Sequence, residues 1–238
     1  MLSVMCWTVF TVLTWSFAVA NWIDYFLPSR PQPIQFTVAA VVVTLLAVWR
    51  GRVLMSRLKA LGLGRRGERV VGALLTRELL PQSFHVLHDV PGSPKDDWNI
   101  DHVALGPSGI YAIETKTVSK RNGQARIKYD GRQVIIDGRR PDRDPLAQAR
   151  GSADRIRQVL EETTGRRQFH VQPVVLYPGW FIEGSSTGRQ VWVLAPSAFV
   201  KWVTGSRAEA VLSTEDVALY ASRLSDYVRS VDEPHVAH

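Results

Sequence analysis

No charged side chain occurs from Leu2 to Ile23, and apolar residues in this run fall on every face of a helix. That pattern predicts a bilayer-spanning helix, since a run of this length rises about 33 Å. A second dense run, Pro33 to Trp49, ends at Arg50 and Arg52, whose long side chains can snorkel to the headgroups. Trp22, Tyr25 and Trp49 fall at the span ends, where amphipathic rings prefer to sit, and Pro28, Pro31 and Pro33 mark a tight connection. The expectation is a two-helix transmembrane hairpin within residues 1–52, with spans of about 2–23 and 33–49. A cleaved signal peptide competes with it, because Ala18-Val19-Ala20 resembles a small-residue cleavage site, but no Lys or Arg follows Met1 in the leading region. Arg50, Arg52, Arg57, Lys59, Arg65 and Arg66 follow the second span, against Arg30 alone in the turn. The positive-inside rule therefore places everything downstream in the cytoplasm of a multi-pass inner-membrane protein.

The periodicity changes after a basic linker over 53–63. From Glu68 to Leu80, Val71, Leu74, Leu75 and Leu79 recur at helical spacing up to Pro81. Strand-like runs follow over Ser83–Val90, Asn99–Gly106 and Gly109–Thr117. A more polar pair, Ala125–Tyr129 and Gln133–Asp137, extends the expected meander through Asp130-Gly131. Asp144 and Pro145 read as an N-cap and first-turn pair for a helix with Ala149, Ala153, Ile156 and Leu160 on its apolar stripe, ending near Gly165. Val171–Tyr177 and Gln190–Leu194 read as buried strands. Val217, Tyr220, Ala221, Leu224 and Val228 make a closing helix that either caps the sheet or supports a homodimer. The predicted class is a mixed α/β sheet flanked by helices over residues 64–204, followed by a helix and tail over 205–238.

Composition narrows the partners. The 238 residues carry 29 Lys and Arg against 22 Asp and Glu, a net charge of +7, so polyanions or anionic lipid are favoured and acidic partners disfavoured. The single cysteine, Cys6, excludes an internal disulfide and a cysteine zinc cluster.

Candidate chemistry follows from strand register. A symmetric turn at Gly106-Pro107-Ser108-Gly109 pairs residues whose numbers sum to 215, which sets Asp101 opposite Glu114. Like charges opposed on the apolar face of a sheet are destabilising without a cation between them. Lys116, two residues along on the same face, is one candidate cation, and a hard divalent ion, Mg²⁺ or Mn²⁺, is another. Glu68 adds an acid on or beside the buried stripe of the preceding helix. Gln148, in the first turn of the later one, could reach the same sheet face.

The ordered blocks Gly67-Glu68, Asn99-Ile100-Asp101-His102, Gly106-Pro107-Ser108-Gly109-Ile110, Ile113-Glu114-Thr115-Lys116 and Asp144-Pro145-Leu146-Ala147-Gln148 resemble the NERD (nuclease-related domain) family over about Gly64 to Leu194. The resemblance implies a restriction-endonuclease-like fold and Mg²⁺- or Mn²⁺-dependent hydrolysis of phosphodiesters. It implies Asp101 and Glu114 as metal ligands, joined by the Thr115 carbonyl, with Lys116 steering or activating the attacking water and Glu68 and Gln148 completing the site. Glu68 is also the residue that would help a second ion.

Between Lys116 and Arg143 the chain is rich in cations. Lys120, Arg121, Arg126, Lys128 and Arg132, with Tyr129 among them, suit a surface that tracks a nucleic-acid backbone, DNA ahead of RNA. A solvated hairpin face or an anionic-lipid contact accounts for the same run. Asp101, Glu114 and Lys116 likewise have a bland reading as a structural ion pair with a spare acid. His85 and His88, three apart on a strand, point to opposite faces and argue against zinc, and His102 faces away from Asp101. No Gly-x-Ser-x-Gly elbow and no phosphate-binding glycine loop after a strand is present. The rival to a nuclease is a membrane-tethered nucleic-acid-binding or scaffolding module that does not cut.

Overall fold

A computed structural model describes residues 2–26, 33–93, 96–119, 126–184, 190–205 and 208–232. Contacts divide the chain into two units, Met1–Gly62 and Leu63–His238.

The first unit holds helix α1 (Leu2–Phe26) and the first part of α2 (Pro33–Leu79). The two run antiparallel. Trp22 Nε1–H donates to Thr37 Oγ1 at 2.6 Å, Trp15 Nε1–H donates to Thr44 Oγ1 at 2.8 Å, and Arg50 lies over the Trp7 ring at 5.4 Å. Ala18 and Ala40 are buried, as small residues are where helix backbones approach closely, while Phe17, Val38, Leu45 and Trp49 stay exposed. Among the described residues one segment, Thr37–Met55, is long and apolar enough to cross a bilayer. The apolar stretch of α1, Phe10–Ile23, is shorter. The expected pair of spans is thus reduced to one candidate, displaced toward the C-terminus of the predicted 33–49. Thr11, Thr14 and Ser16 dilute α1, and the two threonine hydroxyls donate to the carbonyls of Trp7 and Phe10 one turn back. The connection bearing Pro28 and Pro31 lies outside the described residues.

The segment 53–63 is helical, part of α2, which continues unbroken to Leu79. Glycine in a helix interior costs only about 1 kcal/mol relative to Ala, so Gly62 and Gly64 weaken the helix without ending it. Pro81 ends it, in a short 3₁₀ turn over Leu80–Gln82.

The second unit is built on a five-stranded sheet. Strands β1 (His85–Ser93), β2 (Asp96–Gly106) and β3 (Gly109–Thr115) form an antiparallel meander. Next come β4 (Arg126–Tyr129), β5 (Val134–Ile136), α3 (Pro145–Thr164), β6 (Val171–Leu176), β7 (Phe181–Glu183), β8 (Trp192–Leu194), α4 (Pro196–Thr204) and α5 (Thr214–Asp232). β6 pairs parallel to β3, and β8 parallel to β6, giving the order β1-β2-β3-β6-β8. The polar hairpin β4–β5 does not extend this sheet, as the meander reading expected. It joins β7, a strand not anticipated, in a second sheet of order β5-β4-β7. The physical reason is β3's free edge, which the β-branched strand β6 takes, leaving the hairpin to pack by Ile127, Tyr129 and Val134 against Trp180 and Val193.

Alternation along the strands splits the core into two faces. Val103, Leu105, Ile110 and Ala112 pack against Ile156 and Leu160 of α3 and Tyr220 and Leu224 of α5. Ala104, Tyr111 and Ile113 pack against Val71, Leu75 and Leu79 of α2 and Phe199 and Val203 of α4. The result is a mixed α/β unit with helices on both faces, in which α5 caps this chain's own sheet. The N-cap and C-cap expectations for α3 hold: the Asp144 side chain accepts from the Leu146 N–H, and Gly165 closes the helix at φ 69°.

Gly106 ends β2 directly against the Phe84 ring, where an added Cβ would collide with it. Gly106→Ala is therefore expected to destabilise the fold by about 1–3 kcal/mol, as overpacking does. Thermal unfolding checks this, and Phe84→Leu should restore part of the loss in the double variant.

Candidate metal and phosphodiester site

The register sum of 215 holds from Gly106 opposite Gly109 to His102 opposite Ile113, and the recorded pairing stops there, one position before Asp101 and Glu114. Strand β3 stays paired to β6 through Thr115, and Lys116 N–H donates to Leu176 O at 2.9 Å. Successive N–H groups of a central strand point to alternate neighbours, so Thr115 N–H is aimed at β2. It finds the Asp101 carboxyl, Oδ2 accepting at 2.6 Å, in place of a backbone carbonyl. The strands thus part into a notch with Asp101 on one side and Glu114 on the other.

Glu114 is 5% exposed and held at both oxygens. Ser152 Oγ–H of α3 donates to Oε1 at 2.6 Å, and Lys116 Nζ lies 3.5 Å from Oε2. Ser152 was not anticipated. Its signal was a small hydroxyl within the apolar stripe of α3, one turn after Gln148. Asp101 is pushed from the ordinary 3.8 up to about 7, mainly by burial and then by the charge on Glu114, with a further contribution from Glu68. The Thr115 N–H and the Lys116 charge oppose this rise only in part. The notch is therefore short of positive charge.

Glu68 reaches it from the other layer. Val71, Leu75 and Leu79 place α2 on the sheet face opposite Asp101, and Glu68 stands at the end of that contact. Gly67 allows the approach, since a Cβ there would collide with Thr117. Gln148 is exposed in the first turn of α3, one turn before Ser152 on the same helix face. Asp101, Glu114 and Lys116 are thus brought together, with Glu68 within electrostatic range and Gln148 at the rim.

A divalent ion can be tested against these groups. Asp101, Glu114 and the Thr115 carbonyl offer hard oxygen atoms only, which suits Mg²⁺ or Mn²⁺, and Mg²⁺ commonly takes just one or two carboxylates and fills its shell otherwise. The chemistry of the donor set, oxygen only, is the feature such a cation would suit, and Asp101 otherwise relieves its burial by holding a proton, its pKa raised to about 7. Among the described residues no three His, Cys, Asp or Glu side chains converge on a single point, so Glu68 does not stand as a third ligand beside the pair.

The basic surface departs more from expectation. Lys120 and Arg121 lie outside the described residues. Arg126 is neutralised by Glu183 of β7 at 2.6 Å, while Lys128 and Arg132 are exposed. Tyr129 is buried and donates its hydroxyl to Val191 O at 2.7 Å, so it offers no ring for base stacking. Strand alternation decides this, since Arg126 and Lys128 point outward while Ile127 and Tyr129 point inward. His102 and His88 share the α2 face, their Nδ1 atoms 2.9 Å apart.

These features define a class: a mixed α/β domain with an acid pair and a lysine at the end of neighbouring strands. Residues 63–178 match the family model of the nuclease-related domain, NERD, which establishes the resemblance read from the sequence. No curated protein and no solved structure matches the chain.

Asp101 gives a pH prediction. Its folded-state pKa lies above the ordinary carboxylate value, so its stabilising contribution is complete below about pH 4 and is lost as pH rises through about 7. Asp101→Asn keeps an acceptor for Thr115 and never ionises. In EDTA its melting temperature should gain on that of the unmodified chain between pH 4 and pH 8, and a constant difference across that range would contradict the assignment.

Proposed function

We propose that the protein is a membrane-anchored nuclease that hydrolyses nucleic-acid phosphodiesters on the cytoplasmic side, using a restriction-endonuclease-like domain and bound Mg²⁺ or Mn²⁺. The observation that carries the reading is the charge-deficient notch of Asp101, Glu114 and Lys116 inside the segment that matches the nuclease-related domain. Asp101 and Glu114 would hold the ion. Bound there, it would supply Lewis acidity to a phosphoryl oxygen and ease deprotonation of water. Lys116 places an ammonium where charge grows on the phosphoryl group as hydrolysis proceeds. Ser152 and the Thr115 N–H fix the two carboxyl groups in place, so their geometry is set before substrate arrives. Gln148 lies where its amide can orient water or a phosphate oxygen. DNA is the preferred substrate class over RNA.

The Thr37–Met55 segment supports the anchor, because its side chains are almost wholly unburied and apolar. Arg50, Arg52 and the cations after them favour the cytoplasmic side for the domain.

One observation favours the non-catalytic reading: both oxygens of Glu114 already have partners within the chain, as in a structural ion pair. Cleavage separates the two. The full chain in detergent, incubated with plasmid, linear DNA, single-stranded DNA and RNA, should cut at least one of them with Mg²⁺ and none in EDTA. Glu114→Ala and Lys116→Ala should each lower the rate by about 10²-fold or more. Salt-sensitive binding with no cutting would instead support a tethered scaffold.

A further inference from the structure

A cleft of about 730 Å³ opens on the other face of the sheet, between α2 and strands β1 and β2. Glu68, Arg65 and Arg69 of α2 line it together with Thr76, His88 and His102. We propose that this cleft binds a backbone phosphate of the nucleic-acid strand, next to the one held in the notch. The proposal rests on the nuclease-like reading of the notch and adds the path the strand takes away from it.

The first observation is proximity. Glu68 lines the cleft, and its charge also acts on Asp101, which puts the cleft within electrostatic range of the notch. The second is charge. Arg65 and Arg69, one helical turn apart, lie on either side of Glu68 in sequence and are exposed. Among the described residues they form no ion pair, whereas Arg77 further along is taken up by Glu78 at 2.7 Å. A guanidinium presents a planar fork of donors that matches a phosphate, and two of them one turn apart can hold one group from two sides. Glu68 and Asp89 match the formal charge of Arg65 and Arg69 one for one, so the attraction comes from the placement of two exposed guanidinium forks and not from a net positive charge.

The third observation is a wall of polar groups held ready. Thr76 Oγ1 meets His88 Nε2 at 3.0 Å, and His88 Nδ1 meets His102 Nδ1 at 2.9 Å. His102 is 4% exposed and its ring lies against the Glu68 backbone, and burial and the neighbouring His88 lower its pKa to about 4, so the imidazole is neutral near pH 7. Gly72 makes room for this perpendicular ring pair, since a Cβ there would press on both imidazoles at 3.2–3.3 Å. A fixed hydroxyl and imidazole edge beside two free guanidiniums suits an oxyanion better than an apolar ligand, and the hairpin cations expected to track the backbone are partly spent on Glu183.

The test measures binding without cleavage. The full chain in a zwitterionic detergent with EDTA is titrated into a fluorescein-labelled 20-base-pair DNA duplex, followed by anisotropy at several KCl concentrations. Arg65→Ala/Arg69→Ala should weaken binding about 10-fold or more and lower the slope of log K against log salt by one to two units, as loss of one or two phosphate contacts requires. The double Lys variant should recover most of the slope and only part of the affinity. Unchanged affinity and slope in the Ala variant would overturn the proposal, and so would a loss seen only on phosphatidylglycerol vesicles. Thermal unfolding identifies a misfolded variant, in which case Thr76→Val with Arg69→Gln replaces it, with a smaller loss expected and an unchanged slope again overturning the proposal. Mg²⁺-dependent cutting is scored separately: a chain that binds through these arginines and never cuts keeps the cleft and removes the nuclease reading.

Discussion

Two carboxyl groups taken out of water at the fork of neighbouring strands set the terms for everything around them. Burial and mutual repulsion both disfavour charge on Asp101, and the surroundings answer with a backbone N–H, a serine hydroxyl and one lysine ammonium. These groups give Glu114 more than Asp101, so the site keeps a deficit of positive charge. Stabilising the fold alone would be easier with apolar side chains at these positions.

The architecture exists to hold that fork open. β3 is committed to β6 on one side through Thr115, while β2 leaves it after His102, and the freed N–H is taken up by Asp101. α3 brings Ser152 under Glu114 because its apolar stripe locks onto the sheet, and α2 brings Glu68 from the opposite layer because Gly67 lets it press against Thr117. Each helix therefore delivers one polar group from an otherwise apolar contact. The second sheet takes no part in the notch. It packs Ile127, Tyr129 and Val134 on Val175 and Val193, the end of β6 and β8 level with Glu114, and its outward-facing side is partly neutralised by the Arg126–Glu183 pair.

The same layering leaves a polar cleft on the α2 face of the sheet, lined by Glu68, whose charge also acts on Asp101. In the first unit Val, Leu and Trp side chains stay exposed, and the indoles of Trp15 and Trp22 donate to threonine hydroxyls across the helix pair.

The sequence alone determined the local and periodic features. The turn at Gly106–Gly109 with its register, the alternation that puts Asp101 and Glu114 on one face and His102 on the other, the caps of α3 and the family resemblance all depend on neighbouring residues. Short-range sterics and hydrogen bonding suffice for these. What crosses between distant segments was decided only by the fold. The continuation of α2 through its glycines, the departure of the β4–β5 hairpin into its own sheet and the burial of Tyr129 all fall in this group. So do the hydroxyl of Ser152 beneath Glu114 and the edge-on hydrogen bond between His88 and His102. None of these has a local signature, because each depends on which surface a segment meets after the chain has closed, and packing over the whole core makes that choice.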